Sequence, residues 1–150
     1  MGTPFVMWVV FLVNNEAVPN GELIEAFWQY YRLFNSGDRA DRLASHDLAW
    51  ASDEVSERVD SSDPTIVTFL GELARAAPDS QAIAYLGAGP LEELLATHGP
   101  RWVEQIDDLA RRDPAFRRAL SAVSFTGIDG DIAACLSRLS RPPAGNDFPT

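Results

Sequence analysis

A chain of 150 residues has the length of one domain, and a hydrophobic share of 46% supplies the material for its core. The formal charge of −10, from 22 acidic residues against 12 basic ones, and a pI near 4.5 exclude the basic footprint that a phosphate-tracking nucleic-acid binder requires. So acidic a surface favours solubility or a basic protein partner.

Near the N-terminus the stretch from Phe5 to Val13 is apolar without interruption. Nine residues are too few to span a bilayer as a helix. A secretory leader needs an early positive charge, and the first basic residue is Arg32. The expectation is therefore a cytoplasmic protein that does not enter a membrane. The run has the composition of a buried strand but no second strand to pair with, which leaves three outcomes. It packs on the helical body, pairs with its copy in a homodimer, or stands as an arm that contacts a partner.

After Asn20-Gly21, the spacing of Ile24, Phe27, Trp28 and Tyr31 predicts an aromatic-faced helix that Ser36-Gly37 ends. Residues 38–63 are less regular, with Leu48, Val55 and Val59 as an apolar stripe. They hold eight acids (Asp38, Asp41, Asp47, Asp53, Glu54, Glu57, Asp60, Asp63) against three arginines (Arg39, Arg42, Arg58), a balance of −5. Ile66, Phe69, Leu70, Leu73 and Ala77 then give a helix that Pro78 stops, and Asp79-Ser80 caps a short one running to Leu86.

Four dipeptides, Asp63-Pro64, Gly89-Pro90, Gly99-Pro100 and Asp113-Pro114, place a permitted N-cap residue before a proline suited to the first helical position. Each predicts a helix start. The buried faces expected downstream are Leu91, Leu94 and Leu95, then Trp102, Val103, Ile106, Leu109 and Ala110, then Phe116, Ala119, Leu120 and Val123. A last helix is expected around Ile132, Cys135, Leu136 and Leu139, with Cys135, the sole cysteine, as a small buried hydrophobe. The fold class is all-α, an irregular orthogonal bundle of short helices akin to a small α-solenoid. One helical domain covers residues 1–140, with residues 1–19 as an apolar arm packed on it and residues 141–150 as a flexible tail.

The block Gly89-Pro90-Leu91-Glu92-Glu93-Leu94-Leu95, the following His98-Gly99 and the later Asp113-Pro114-Ala115-Phe116-Arg117 resemble the signature of a bacterial family of unknown function. The resemblance covers about residues 63–123 and implies a helical fold, with no substrate attached.

As chemistry, the signature reads as structure. Glu92 and Glu93 occupy a first helical turn, where the positive end of the macrodipole favours carboxylates. His98 is offset from both glutamates by intervals that put neither beside it on a helix, and it reads as a cap on the final carbonyls of its own helix before a left-handed Gly99. Gly87-Ala88-Gly89 is loosely similar to a dinucleotide loop, but Glu92 stands where the third glycine belongs. Asp129-Gly130-Asp131 is too short for a calcium loop and reads as a turn with a helix cap. His46-Asp47 reads as surface. No cofactor or metal is expected, and no catalytic residue is assigned.

Two functional classes follow. The leading one is a non-catalytic protein-interaction domain, in the form of an inhibitor or immunity-type protein, with Asp53, Glu54 and Glu57 as the contact for a basic partner. The alternative is an enzyme whose acid/base site is assembled between helices around Glu92, Glu93 and His98, with Trp50 or Asp47 joining them.

Overall fold

A computed structural model describes residues 18–140, and these are helical with no strand among them. The expected all-α bundle of short helices is therefore what the chain forms. The apolar run of residues 5–13 and the tail of residues 141–150 lie outside the described residues. Contacts group the chain into two compact units, up to Glu57 and from Arg58 onward, a division that falls within one helix.

In the first unit, α1 (Asn20–Phe34) is followed by α2 (Arg39–Ala44), a 3₁₀ turn (Ser45–Leu48) and α3 (Ala49–Asp60). The α1 helix buries Leu23, Ala26, Phe27 and Trp28. Ile24 and Tyr31 are only half-buried, so the face is turned toward Leu23 from the one the spacing predicted. Three aromatic rings follow one another along it, with edge-on contacts between Phe27 and Trp28 (4.9 Å) and between Trp28 and Tyr31 (5.6 Å). Asp38 starts α2 inside the stretch expected to be less regular, its carboxylate accepting the Ala40 N–H at 2.9 Å. Against this unit α1 lays its length on the 3₁₀ turn and α2. Leu48 is half-buried and Val55 fully buried, so the expected stripe is partly realised.

The second unit holds the last turn of α3, then α4 (Ile66–Ala76), α5 (Ser80–Leu86), a π-helical turn (Gly87–Leu91), α6 (Glu92–Arg112), α7 (Pro114–Leu120) and α8 (Gly130–Ser140). Short as it is, α7 sits at the centre. It packs on α4, α5, the π turn, α6 and α8, and Phe116, Ala119 and Leu120 are fully buried. Fully burying a side chain of Phe or Leu size contributes about 1.5–3 kcal/mol, so this one helix anchors four others. On α4 the buried set extends past the predicted stripe to Val67, Gly71 and Ala74, because helices cover it on more than one side. Ala77, expected at its end, is half-buried and lies beyond the last helical residue. Cys135 and Leu139 of α8 are half-buried, while Ile132 and Leu136 carry its inner face.

Candidate functional site

Two of the four proline dipeptides stand at a helix start: Gly99-Pro100 begins the second half of α6 after a break, and Asp113-Pro114 opens α7 with an N-cap, the Asp113 carboxylate accepting from the N–H groups of Ala115 (3.0 Å) and Phe116 (3.3 Å). Asp63-Pro64 forms a turn before α4, in which Asp63 accepts both the Thr65 N–H and the Thr65 hydroxyl at 2.7 Å. These two bonds, side chain first, hold the Asp63 carboxyl below its ordinary value of 3.8, with Arg58 adding a smaller pull and partial burial opposing it.

Gly89-Pro90 is not a helix start at all. The backbone runs from α5 into α6 without leaving helical space, and Pro90 is absorbed by widening one turn to the π form. Widening relieves the clash between the proline ring and the carbonyl four residues back, and the missing N–H falls in the irregular turn. The glycine that needs to lack a side chain here is Gly87 and not Gly89. Nothing lies within 4 Å of where a Gly89 Cβ would be, whereas a Cβ at Gly87 would overlap the carbonyl oxygen of Ala119 on α7.

Gly99-Pro100 lies just after a break in α6, at His98 (φ −133°, ψ 25°). Gly99 is not left-handed; a Cβ there would stand 2.8 Å from the end of the Ile132 side chain of α8, which would have to shift to admit it. Nor does His98 cap its own helix. Its Nε2 lies 3.0 Å from the carbonyl oxygen of Asp60, the last residue of α3, and because a carbonyl only accepts, Nε2 is the protonated nitrogen. One turn further on, the Trp102 indole N–H donates to the Ser62 hydroxyl at 2.7 Å. Ser62 has a left-handed backbone (φ 57°), and the N–H groups of Ser62 and Asp63 bond back to Val59 and Arg58 in a helix-ending turn. Thus α6 clamps the end of α3 with two side chains one turn apart. The i, i+4 spacing of His98 and Trp102 was the available signal for this joint.

Glu92 and Glu93 follow the π turn with no free helix N-terminus before them, so the expected macrodipole placement is not realised, and Glu92 has a different task. Its Oε1 accepts the N–H of Ser124 at 2.9 Å and fastens the loop after α7. Glu93 is exposed. Glu92 and His98 therefore face different partners, a loop amide and a helix-end carbonyl. Asp129 caps α8 through bonds to the N–H groups of Asp131 (2.9 Å) and Ile132 (3.4 Å), as its turn reading required. His46 and Asp47 are exposed on the 3₁₀ turn, and Trp50 is half-buried.

The acids named for partner contact lie on α3. Asp53 and Glu57, one turn apart, are exposed, and Glu54 between them is half-buried. A second charged feature was not foreseen in the sequence. Arg75 of α4 pairs with Asp113, which is nearly buried, while the Arg117 guanidinium donates to the carbonyl oxygens of Ala110 (3.0 Å) and Arg111 (3.1 Å) at the end of α6. Arg111 and Arg112 pair with Asp107 (3.1 Å) and Asp108 (2.8 Å) one turn earlier. Among the described residues no group of three or more His, Cys, Asp or Glu side chains is placed to hold a metal ion, and no helix is long and apolar enough to cross a membrane.

Comparison with known protein families finds a match to a family of unknown function (DUF6869) over residues 38–141. No curated protein and no solved structure matches the chain. The matched span takes in the π turn, the His98 clamp, the Asp113 cap and the acidic stripe of α3.

Proposed function

The chain belongs to this family of unknown function, and we propose that it works as a non-catalytic helical domain that binds a basic protein partner through the acidic stripe of α3. The contact is carried by Asp53 and Glu57, with Glu54 beside them. The observation that supports this reading is the division of labour among polar side chains. Glu92, His98, Trp102 and Asp113 each hold a loop, a helix end or a neighbouring helix. Asp53 and Glu57, by contrast, stand exposed in a segment whose balance is −5. Exposed acids of one sign raise the rate at which a basic surface is captured, and rapid capture suits a small inhibitor or immunity-type protein.

The experiment starts from the full chain, immobilised to capture proteins from a lysate, and continues with each captured protein purified. Association rates are then measured against ionic strength for the wild type and for the Asp53→Asn, Glu54→Gln, Glu57→Gln triple variant. The wild-type rate should fall about tenfold or more between low and physiological salt, because exposed charges are screened beyond about 8 Å there. The triple variant should be slower at low salt, flatter in its salt dependence and unchanged in thermal midpoint. A rate indifferent to both salt and the substitutions rejects the acidic stripe as the contact.

A further inference from the structure

The chain carries a second surface of the opposite sign. Between Leu109 and Val123 four arginines (Arg111, Arg112, Arg117 and Arg118) stand against a single acid, Asp113, in a protein whose formal charge is −10. All four are exposed, and Arg75, about half exposed, joins them by its ion pair with Asp113. They lie on either side of the junction of α6 and α7. Arg117 reaches back across the last carbonyls of α6, Arg75 meets the residue that joins the two helices, and Arg118 follows Arg117 on α7.

We propose that this arginine edge is a docking surface for an acidic segment of a partner protein, distinct from the acidic stripe and independent of it. Helix-end carbonyls account for Arg117, and the i, i+4 pairs account for one side of Arg111 and Arg112. Among the described residues no such bond engages Arg118, and the edge as a whole keeps a surplus of positive charge. The existing bonds also prepare it. A guanidinium has more N–H donors than these bonds use, stays charged at any relevant pH, and accepts a carboxylate in a two-pronged geometry. Because Arg75, Arg111, Arg112 and Arg117 are already held, less side-chain freedom is lost when a carboxylate arrives. Asp107, Asp108 and Asp113 are each paired with one of these arginines. A polypeptide segment is favoured over a nucleic acid because the chain's overall negative charge repels a continuous phosphate backbone, whereas a short run of carboxylates can approach the edge alone.

The test uses the full chain and a labelled peptide of about ten glutamates and aspartates, followed by fluorescence anisotropy at low salt. An oligonucleotide of equal charge and a basic peptide serve as the other probes. The wild type should bind the acidic peptide saturably, with affinity that falls as salt rises. Arg112→Gln together with Arg118→Gln should weaken it about tenfold or more while the chain still unfolds in one cooperative transition, since both side chains are exposed and outside the core. Asp53→Asn with Glu57→Gln should leave it intact, which separates this surface from the acidic stripe. Absence of saturable binding, binding indifferent to the arginine substitutions, or tighter binding of the oligonucleotide overturns the proposal.

Discussion

At the scale of single residues, two glycines two positions apart have opposite duties. Gly87 lets the carbonyl of Ala119 approach the turn, and Gly89 faces open space. Gly87→Ala should therefore cost about 2–3 kcal/mol or more, since it overpacks backbone that cannot yield as a side chain would. Gly89→Ala should be neutral or gain up to about 1 kcal/mol, because alanine restricts the unfolded chain more than glycine does. Urea melts of the pair check this, and similar losses in both would refute the assignment of the close approach to Gly87. Asp63 supports a prediction about acid. Its folded pKa lies below 3.8, so its bonds to Thr65 stabilise the protein above that value and the contribution fades as pH falls through the folded value. Thr65→Ala removes the hydroxyl that is the largest cause of the shift. The stability difference between wild type and variant, measured by urea midpoints at about pH 6 and about pH 2.5, should shrink at the lower pH. A constant difference would place the effect of Thr65 elsewhere than on the carboxylate.

At the scale of elements, α6 shows most clearly which information the chain carries locally. Leu94 is fully buried and Glu93, its neighbour, is exposed. Leu94→Asp should cost about 3–5 kcal/mol by burying an unpaired charge, and Glu93→Gln less than about 1. Thermal melts of the two variants decide, and equal losses would mean the helix is turned differently. Apolar spacing revealed this face, as it revealed those of α4 and α7, because periodicity reports which side of a helix lies against something. It does not report against what. The pairings of His98 with Asp60, Trp102 with Ser62 and Glu92 with Ser124 join residues 38, 40 and 32 positions apart, beyond the reach of any helical period. The proline dipeptides mislead for a related reason. Whether a proline begins a helix or is absorbed inside one depends on what the carbonyls of the preceding turn can do, and at Pro90 a widened turn solves the problem while at Pro114 the capping Asp113 carboxylate does. Half-burial of Val103 and Leu109, both expected inside, follows from α6 resting on its neighbours along a narrower strip than its apolar residues span. The acidic stripe of α3 was legible as composition, and so was the run of arginines at 111–118, whereas the part of Arg75 was not, because it enters from another helix.

On the whole-molecule scale, charge dominates. With 22 acids against 12 bases the folded chain repels itself, and the exposed ion pairs of Arg111 and Arg112 return little of that cost. Raising sodium chloride from about 0.01 to about 0.3 M should therefore lift the thermal midpoint by a few degrees, through screening of the surplus negative charge. A midpoint that falls with salt would show that local attraction between opposite charges outweighs the general repulsion.

The absorbed proline at position 90 also governs where the chain can be cut. From Ser80 to Arg112 the backbone passes through α5, the π turn and α6 with no connecting loop, interrupted only by the bend at His98. A protease must draw its substrate into an extended form, and helical backbone with buried faces resists this until it opens locally. Among the described residues, a broad-specificity protease used sparingly should nick residues 121–129 long before it enters this stretch. Residues 80–112 should then leave the gel as one surviving piece, despite the arginines at 101, 111 and 112 and the glycines at 87, 89 and 99 that would otherwise mark it as easily broken.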